Sequence, residues 1–202
     1  MVTGYFGLPG SGKTTFLTMI AQKELKLIAK GKSKYKYVYT NFYCQGCYKF
    51  EYKDLGRFLF TDALILIDEI TLEADSRDFK QFSHDKKYFF LMHRHYNCDI
   101  VYFSQHYDNV DKKIRDITYD LFFVRACRFD WLPFSTATRI FRTLDISEQT
   151  HEIVNGYRFP NIFDTLFGNV KQICFRPKWY KYFDTNEANY SFPTFYKKLW
   201  NV

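Results

Sequence analysis

A glycine-rich stretch near the amino terminus has the residue types and the spacing of a phosphate-binding loop. The stretch runs Gly7-Leu8-Pro9-Gly10-Ser11-Gly12-Lys13-Thr14, and Thr15 follows it. Its glycines allow backbone N–H groups to point inward at phosphate oxygens, and a helix that begins there adds a partial positive charge. We expect Lys13 to reach the β- and γ-phosphates of ATP and the Thr14 hydroxyl to ligate Mg²⁺.

The residues on either side of this loop are those that such a site requires. Residues 2–6 form a short apolar run of strand length. Residues 15–30 carry apolar side chains at helical spacing, with no Pro or Gly before Gly31. Because a strand, a glycine loop and a helix follow in this order, a chance glycine turn is the poorer explanation.

Two carboxylates follow a second apolar run. Residues 63–67 (ALILI) are typical of a strand buried on both faces of a parallel sheet, and Asp68 and Glu69 come directly after them. This pattern is a Walker B element, whose carboxylates should lie beside the phosphate-binding loop at the carboxyl edge of the sheet. We expect Asp68 to support Mg²⁺ and Glu69 to act as the base toward the attacking water. The alternative is that Glu69 is a surface acid.

A polar residue closes the next predicted strand. Gln105 ends residues 99–105 and should reach the same edge of the sheet. There it could sense hydrolysis by touching the γ-phosphate or the attacking water, or it could cap the strand end. A Glu after the Walker B Asp, with a further strand ending in a polar residue, indicates the additional-strand, catalytic-glutamate branch of P-loop ATPases.

The phosphate-binding loop contains no arginine, so a neighbouring subunit is a possible source of positive charge for the transition state. The candidates for such an arginine finger are Arg77, Arg94 and Arg115. The alternative for each is a solvated or ion-paired side chain.

The order of periodic segments predicts the fold class. Strands are expected at 35–41, 63–67, 99–105 and 121–129, and helices at 88–95 and 111–118. We expect residues 44–52 to form a loop or hairpin, residues 55–60 a short helix or an approach segment, and residues 71–87 a helix followed by a mobile loop. The alternation predicts an α/β P-loop NTPase with a mostly parallel central sheet and helices on both faces.

The length of 202 residues suits a single domain. We expect residues 1–130 to form the nucleotide-binding core and residues 131–202 a β-rich extension of it, with hairpins near 138–144 and 170–176. No apolar run approaches the roughly 18–20 residues that span a bilayer, and the first strand begins at once. These features predict a cytoplasmic protein.

Composition narrows the class of protein further. The apolar share of 47% and charged share of 25% are those of a globular protein, and the net charge of +7 allows a polyanionic partner. The 23 Phe and 17 Tyr residues are better explained by an A/T-rich genome than by base-stacking platforms. A lysine stripe could face DNA, although a solvated helix face is the simpler account. It comprises Lys23, Lys26, Lys30, Lys32, Lys34 and Lys36.

Cysteines and histidines give weak metal signals. The five cysteines argue against a disulfide framework, and Cys44 and Cys47 form a C-x-x-C without the second pair that a zinc ribbon needs. His93 and His95 fall in a predicted helix, where their rings would point about 200° apart and could not chelate together.

Together these residues resemble the zonular occludens toxin (Zot) domain, the ATPase module of filamentous-phage assembly proteins. The resemblance rests on residues 7–15 (GLPGSGKTT), residues 39–41 (YTN), residues 64–69 (LILIDE), residues 93–100 (HRHYNCDI) with Gln105 after them, residues 110–115 and residues 178–185. The H-R-H, D-I and Gln stretch is its most specific part.

The resemblance implies a cytoplasmic motor for assembly and extrusion of a single-stranded DNA phage in an infected bacterial host. It implies phage DNA or its complex with coat protein as a partner. We also expect a ring-shaped homo-oligomer. Family members continue into a transmembrane helix, whereas this chain ends at Val202. We therefore expect a separate membrane-embedded assembly protein to recruit it to the inner membrane.

Other functions fit the same motifs. One is a DNA-packaging or translocating ATPase of the hexameric pump type. Another is a nucleotide-gated assembly scaffold with little turnover, and the most distant is a nucleotide kinase. The intact Glu69 favours hydrolysis over the scaffold.

Overall fold

The computed structural model describes residues 1–70, 84–127, 132–146, 153–168 and 170–183. The strands are β1 (Val2–Phe6), β2 (Tyr37–Thr40), β3 (Tyr48–Lys49), β4 (Ala63–Ile67), β5 (Asp99–Ser104), β6 (Asp120–Ala126), β7 (Phe134–Ile146), β8 (Ile153–Arg158) and β9 (Lys171–Phe175). The α-helices are α1 (Lys13–Ala29), α2 (His84–Met92), α3 (Lys112–Ile117) and α4 (Ile162–Phe167). Short 3₁₀ turns lie at Tyr52–Asp54, Tyr107–Asn109, Arg176–Lys178 and Tyr180–Tyr182.

The described strands form one sheet in the order β3-β2-β4-β5-β1-β6-β7-β8, with β9 also paired to β7. The strands from β3 to β6 are parallel, whereas β7 is antiparallel to β6, β8 and β9. Strand β5 lies between β1 and β4, so an additional strand separates the loop that follows β1 from the acids that follow β4. The predicted α/β fold with a mostly parallel sheet is confirmed.

Side chains that alternate along each strand divide the core between the two faces of the sheet. On β4, Leu64 and Leu66 pack in one buried cluster with α1, while Ile65 and Ile67 pack in the other with α2 and α3. Since apolar side chains alone occupy both faces of β4, this strand must be covered on both sides. The helices on the two faces supply that cover.

Local chemistry explains both ends of α1. The helix starts at the phosphate-binding loop, where Gly12 adopts a φ of 88°. It ends where Gly31 adopts a φ of 64°. The N–H of Gly31 donates to the Ile28 carbonyl, and that of Lys32 donates to the Leu27 carbonyl, both at 2.9 Å. This is a Schellman ending, for which glycine is the preferred residue.

Several segments differ from the sequence prediction. Residues 44–52 contain β3, which pairs parallel to β2 instead of forming a hairpin, and no α-helix forms at residues 55–60. The helix predicted at 88–95 runs from His84 to Met92. It stops there because residues 93–97 form a turn in which the Cys98 N–H donates to the His93 carbonyl at 2.9 Å. A helix and a loop were expected at 71–87. Residues 71–83 lie outside the described residues, and residues 84–87 belong to α2.

Within the described residues, β7, β8 and β9 follow β6. Residues 138–144 lie in β7, which pairs antiparallel to β8, and residues 171–175 form β9, which pairs antiparallel to β7. The division into a core and an extension stays a prediction. No helix in the described part of the chain is both long and apolar enough to cross a bilayer.

Candidate nucleotide site

The parallel strands bring the predicted site residues to one edge of the sheet. A cavity of about 900 Å³ opens there. Lys13, Thr14, Asp68, Glu69 and Gln105 all line it. Four other loop residues also line it: Pro9, Gly10, Gly12 and Thr15. The remaining three do not, because Gly7 and Ser11 are buried and Leu8 is 65% exposed to solvent.

The loop conformation requires glycine at two positions. Gly10 has a φ of 76° and Gly12 a φ of 88°, both in the left-handed region that other residues rarely adopt. A Cβ on Gly12 would also lie 2.5 Å from Ser135 Oγ. That hydroxyl donates to the Ser11 carbonyl at 2.7 Å, so β7 packs directly against the back of the loop.

Lys13 is held inside the loop. Its Nζ donates to the carbonyls of Gly7 at 2.9 Å and Leu8 at 3.1 Å. Burial lowers the pKa of Lys13, while the nearby carboxylates of Glu69 and Asp68 raise it and so oppose that shift. The ammonium therefore lies between the loop and the two acids, where it can contact a phosphate.

Thr14 and Asp68 form the polar contact between the two motifs. The Thr14 hydroxyl donates to Asp68 Oδ2 at 2.6 Å. Burial raises the pKa of Asp68, with the bond from Thr14 and the charge of Lys13 acting in the opposite direction. A hydroxyl oxygen and a carboxylate oxygen this close are the hard donors that Mg²⁺ prefers, and Mg²⁺ commonly takes one or two carboxylates together with phosphate oxygens. The residues present therefore fit the predicted metal.

Asn41 fixes the backbone of Asp68, a role that the sequence analysis did not identify. The Asp68 N–H donates to Asn41 Oδ1 at 2.7 Å, and Asn41 Nδ2 donates to the Asp68 carbonyl at 2.9 Å. Asn41 follows β2, the neighbour of β4 in the sheet. Its position in the Y-T-N stretch of the family resemblance was the one available signal.

Glu69 and Gln105 are in contact at the far end of the cavity. Glu69 has a φ of 51°, which is uncommon for a residue with a side chain and marks local strain. The Gln105 N–H donates to Glu69 Oε1 at 3.3 Å. Gln105 thus lies directly after β5 and beside the acid, a placement compatible with either role considered for it.

The segment after β9 forms a wall of the cavity that no sequence motif predicted. Arg176, Tyr180 and Phe183 line it, although they lie more than a hundred residues beyond the Walker B acids. The aromatic and basic run at 178–185 appeared only in the family resemblance. A long-range pairing, β9 on β7, brings this segment to the site.

Two of the three candidate arginine fingers, Arg94 and Arg115, do not line this cavity. Arg94 is exposed in the turn after α2, and Arg115 pairs with Asp108 at 3.4 Å while its guanidinium lies 5.6 Å from the Tyr107 ring centroid. Arg77 lies outside the described residues. Since a finger acts on a neighbouring subunit, its role stays a prediction.

The cysteines and histidines that gave weak metal signals in the sequence lie in the described part of the chain. Cys44 and Cys47 are both buried in a tight turn, and a hydrogen bond from the Cys47 thiol to Cys44, together with burial, raises the pKa of Cys47. His93 is buried and His95 is exposed. Both lie in the turn after α2, so the prediction that they fall in a helix was wrong. Over the described ranges, no group of three or more His, Cys, Asp or Glu side chains is arranged to hold a metal.

The predicted lysine stripe is shorter than expected. Lys34 pairs with Asp99 and Lys36 with Asp62, each at 2.7 Å. Lys23 and Lys26 are exposed on α1, and Lys30 is exposed directly after it. Two of the three loop lysines are thus engaged in ion pairs, so the first three lysines of the stripe and Lys32 carry the rest of its positive charge.

A family model described as "Zonular occludens toxin (Zot)" matches residues 47–121. This range contains Asp68, Glu69, residues 93–100 and Gln105, whereas the phosphate-binding loop lies before it. No curated protein sequence matches the chain.

Solved structures share the architecture at low sequence identity. The N-terminal domain of zonular occludens toxin from Neisseria meningitidis has a TM-score of 0.51 and 14% identity, over 91% of this chain and 100% of that chain. The genome packaging NTPase B204 of Sulfolobus turreted icosahedral virus 2, in complex with ATP-gammaS, has a TM-score of 0.47 and 9% identity, over 79% of this chain and 98% of that chain. The chain has a mixed α/β fold with a mostly parallel central sheet, similar to that of the N-terminal domain of zonular occludens toxin, and its resemblance to the zonular occludens toxin family is confirmed over residues 47–121.

Proposed function

We propose that the protein is a Mg²⁺-dependent ATPase that drives assembly and extrusion of a filamentous phage. One observation carries the enzymatic part of this proposal. Lys13 and Thr14, which follow β1, meet Asp68 and Glu69, which follow β4, in one cavity, with Thr14 and Asp68 2.6 Å apart. This juxtaposition of the two motifs supports a site that hydrolyses a triphosphate.

The loop binds the triphosphate. Backbone N–H groups between Gly7 and Thr15 and the amino end of α1 attract the phosphate oxygens, because they present partial positive charge. Lys13 moves its ammonium from loop carbonyls to the β- and γ-phosphates. Thr14 and Asp68 would hold Mg²⁺, which when bound neutralises charge on the phosphate oxygens.

Glu69 and Gln105 act on the attacking water. Glu69 accepts a proton as the water oxygen bonds to the γ-phosphorus and the bond to the ADP oxygen breaks. Gln105 lies beside Glu69 and orients the water or senses the γ-phosphate. Arg77, Arg94 and Arg115 remain the candidates for a finger supplied by a neighbouring subunit in a ring-shaped homo-oligomer.

The biological role rests on the family match and the fold. Both support an ATPase of the virion-assembly or packaging type. We propose that it works in the cytoplasm of an infected bacterial host on phage DNA or a DNA–coat complex. A membrane-embedded assembly protein then brings it to the inner membrane.

Steady-state phosphate release tests the enzymatic role of Glu69. Glu69→Gln should lower kcat about 10²- to 10⁴-fold, because the water loses its base, while ATP binding is retained. Glu24→Gln is the matched control, since Glu24 lies on α1 away from the cavity and accepts a hydrogen bond from Ser33. Unchanged turnover in Glu69→Gln would remove Glu69 from the mechanism. A parent protein that binds ATP without releasing phosphate would instead indicate a nucleotide-gated scaffold.

A further inference from the structure

Three side chains in the cavity have no part in the proposed hydrolysis. They are Arg176, Tyr180 and Phe183, all from the segment that follows β9. We propose that this segment binds the rest of the nucleotide: Tyr180 and Phe183 stack on the base, and Arg176 binds the phosphate chain from within the same subunit. This inference rests on the proposed function and adds how the nucleoside is held.

Sheet topology gives the cavity two ends. The loop follows β1, near the middle of the sheet, and the acids follow β4 on one side of it. Strand β9 pairs with β7 on the other side. A triphosphate whose γ-phosphate faces Glu69 therefore extends its nucleoside toward the segment after β9.

Contacts with the body of the protein anchor this segment. The Arg176 N–H donates to the Pro133 carbonyl at 2.9 Å, and the Gln45 N–H donates to the Tyr182 carbonyl at 2.9 Å. Between these points, Trp179 is only 4% exposed and packs in the core cluster on the α1 face. The wall is thus held at both ends, with the Trp179 side chain buried between them.

Arg176 has a donor available for a phosphate. Its Cδ lies 3.1 Å from the position that a Cβ on Gly12 would occupy, so the side chain passes directly beside the loop. Its Nε is buried and has no hydrogen-bond partner in the described part of the protein. A buried guanidinium donor without an acceptor is unfavourable, and phosphate oxygens are acceptors that arginine binds well.

The two aromatic rings offer a surface for a base. Tyr180 is 49% exposed, and its ring centroid lies 6.1 Å from that of Phe183, with the rings inclined at 67°. At this inclination one ring can lie parallel to a purine while the other contacts its edge, and base–aromatic stacking typically strengthens binding about ten- to a hundredfold. The ligand class is therefore a nucleoside triphosphate and not a bare polyphosphate.

Calorimetric titration with two probes, ATP and inorganic tripolyphosphate, separates base binding from phosphate binding. Tyr180→Ala and Phe183→Ala should each weaken ATP at least about tenfold and leave tripolyphosphate within about twofold. Tyr180→Phe keeps the ring and should bind ATP like the parent. Tyr119→Ala removes a ring that is 65% exposed outside the cavity and is the matched control. Arg176→Ala should weaken both probes about equally, at least tenfold.

The outcomes distinguish this inference from the proposed function. Failure of the parent protein to bind either probe would overturn both. Normal ATP affinity in Tyr180→Ala and Phe183→Ala would overturn base stacking alone, and normal tripolyphosphate affinity in Arg176→Ala would overturn its phosphate contact. Photolabelling with 8-azido-ATP uses the unaltered protein, so its result does not depend on whether a variant folds. It should modify a peptide containing residues 176–183, and labelling confined to other peptides would contradict the base site.

Discussion

The Asn41 side chain forms hydrogen bonds with both the N–H and the carbonyl of Asp68, which lines the cavity. Asn41 accepts from the Asp68 N–H and donates to the Asp68 carbonyl. Because Thr14 bonds the carboxylate of the same residue, Asp68 is constrained at its backbone and at its side chain. Such double support would keep the carboxylate of the proposed metal site in one place, as a preorganised site requires.

Removal of Asn41 should therefore reduce turnover as well as stability. Asn41→Ala leaves two half-buried backbone groups unpaired, which should cost about 1–3 kcal/mol in free energy of unfolding and lower kcat at least about tenfold. Asn161→Ala is the matched control, since Asn161 caps α4 by accepting from the Asp164 N–H at 3.0 Å. It should lose about 0.5–2 kcal/mol. Equal turnover in the two variants, measured by phosphate release, would show that Asn41 does not position Asp68.

The loop glycines differ in how much a methyl group should cost. Gly12→Ala places a Cβ in the left-handed region and against Ser135 Oγ, so we expect more than the roughly 1–2 kcal/mol of backbone strain alone, together with loss of ATP binding. Gly31→Ala has the same kind of strain but nothing within 4 Å of the added Cβ. It should lose about 1 kcal/mol and bind ATP normally. Urea unfolding and calorimetry measure both quantities, and normal ATP binding in Gly12→Ala would be the contrary result.

At the scale of elements, Asp99 joins the start of β5 to the segment between α1 and β2. Its carboxylate accepts hydrogen bonds from Lys34, Tyr35 and the amino group of Met1. Burial would raise the pKa of Asp99, but these bonds outweigh it and lower the pKa to about 2. The ion pair therefore links separate elements on the amino side of the sheet.

Because of this ion pair, the free energy of unfolding should depend on pH in the acidic range. The unfolded pKa of an Asp is about 3.9, so the unfolded chain takes up this proton first as the pH falls. The stability from Asp99 is present above about pH 4 and is lost toward pH 2. Asp99→Asn should lower the free energy of unfolding at pH 7 modestly, since Lys34 is largely exposed, and should flatten the decline between pH 4 and 2.

Urea unfolding of both proteins across that range measures the effect. Lys34→Gln removes one of the donors and should flatten the decline by a smaller amount. Parallel curves for the parent and Asp99→Asn between pH 4 and 2 would contradict the assignment.

At the scale of the whole molecule, a row of exposed lysines follows α1. The net charge is +7, and Lys23 and Lys26 on the helix and Lys30 directly after it are exposed, while Lys34 and Lys36 form ion pairs. If the proposed DNA partner binds here, its affinity must depend on salt through the lysines that displace counterions.

The double variant Lys23→Gln, Lys30→Gln tests this face. It should weaken binding to single-stranded DNA and reduce the slope of log K against log salt by about 1 to 1.5, the expected loss for two charges. Lys112→Gln, Lys171→Gln removes the same charge from exposed positions elsewhere and should leave the slope nearly unchanged. Equal slopes for the two double variants, measured by fluorescence anisotropy, would place DNA on another surface.

Features encoded by neighbouring residues could be predicted from the chain alone. The phosphate-binding loop depends on the φ freedom of Gly10 and Gly12, and β4 depends on an unbroken apolar run, so both are local properties. The convergence of Lys13 with Asp68 then follows from one rule, that parallel strands end at a common edge. The α/β fold and the position of the cavity required nothing more.

The other features could not be predicted, because they depend on contacts between residues that are far apart in the chain. The support of Asp68 by Asn41 depends on β2 pairing with β4, and the approach of Arg176 to Gly12 depends on β9 pairing with β7. The end of α2 at Met92 depends on a turn through His93 that helical propensity does not reveal. Spacing along the chain carries no record of such pairings, because hydrogen bonds between strands and the burial of apolar surface are satisfied only once the whole sheet has assembled.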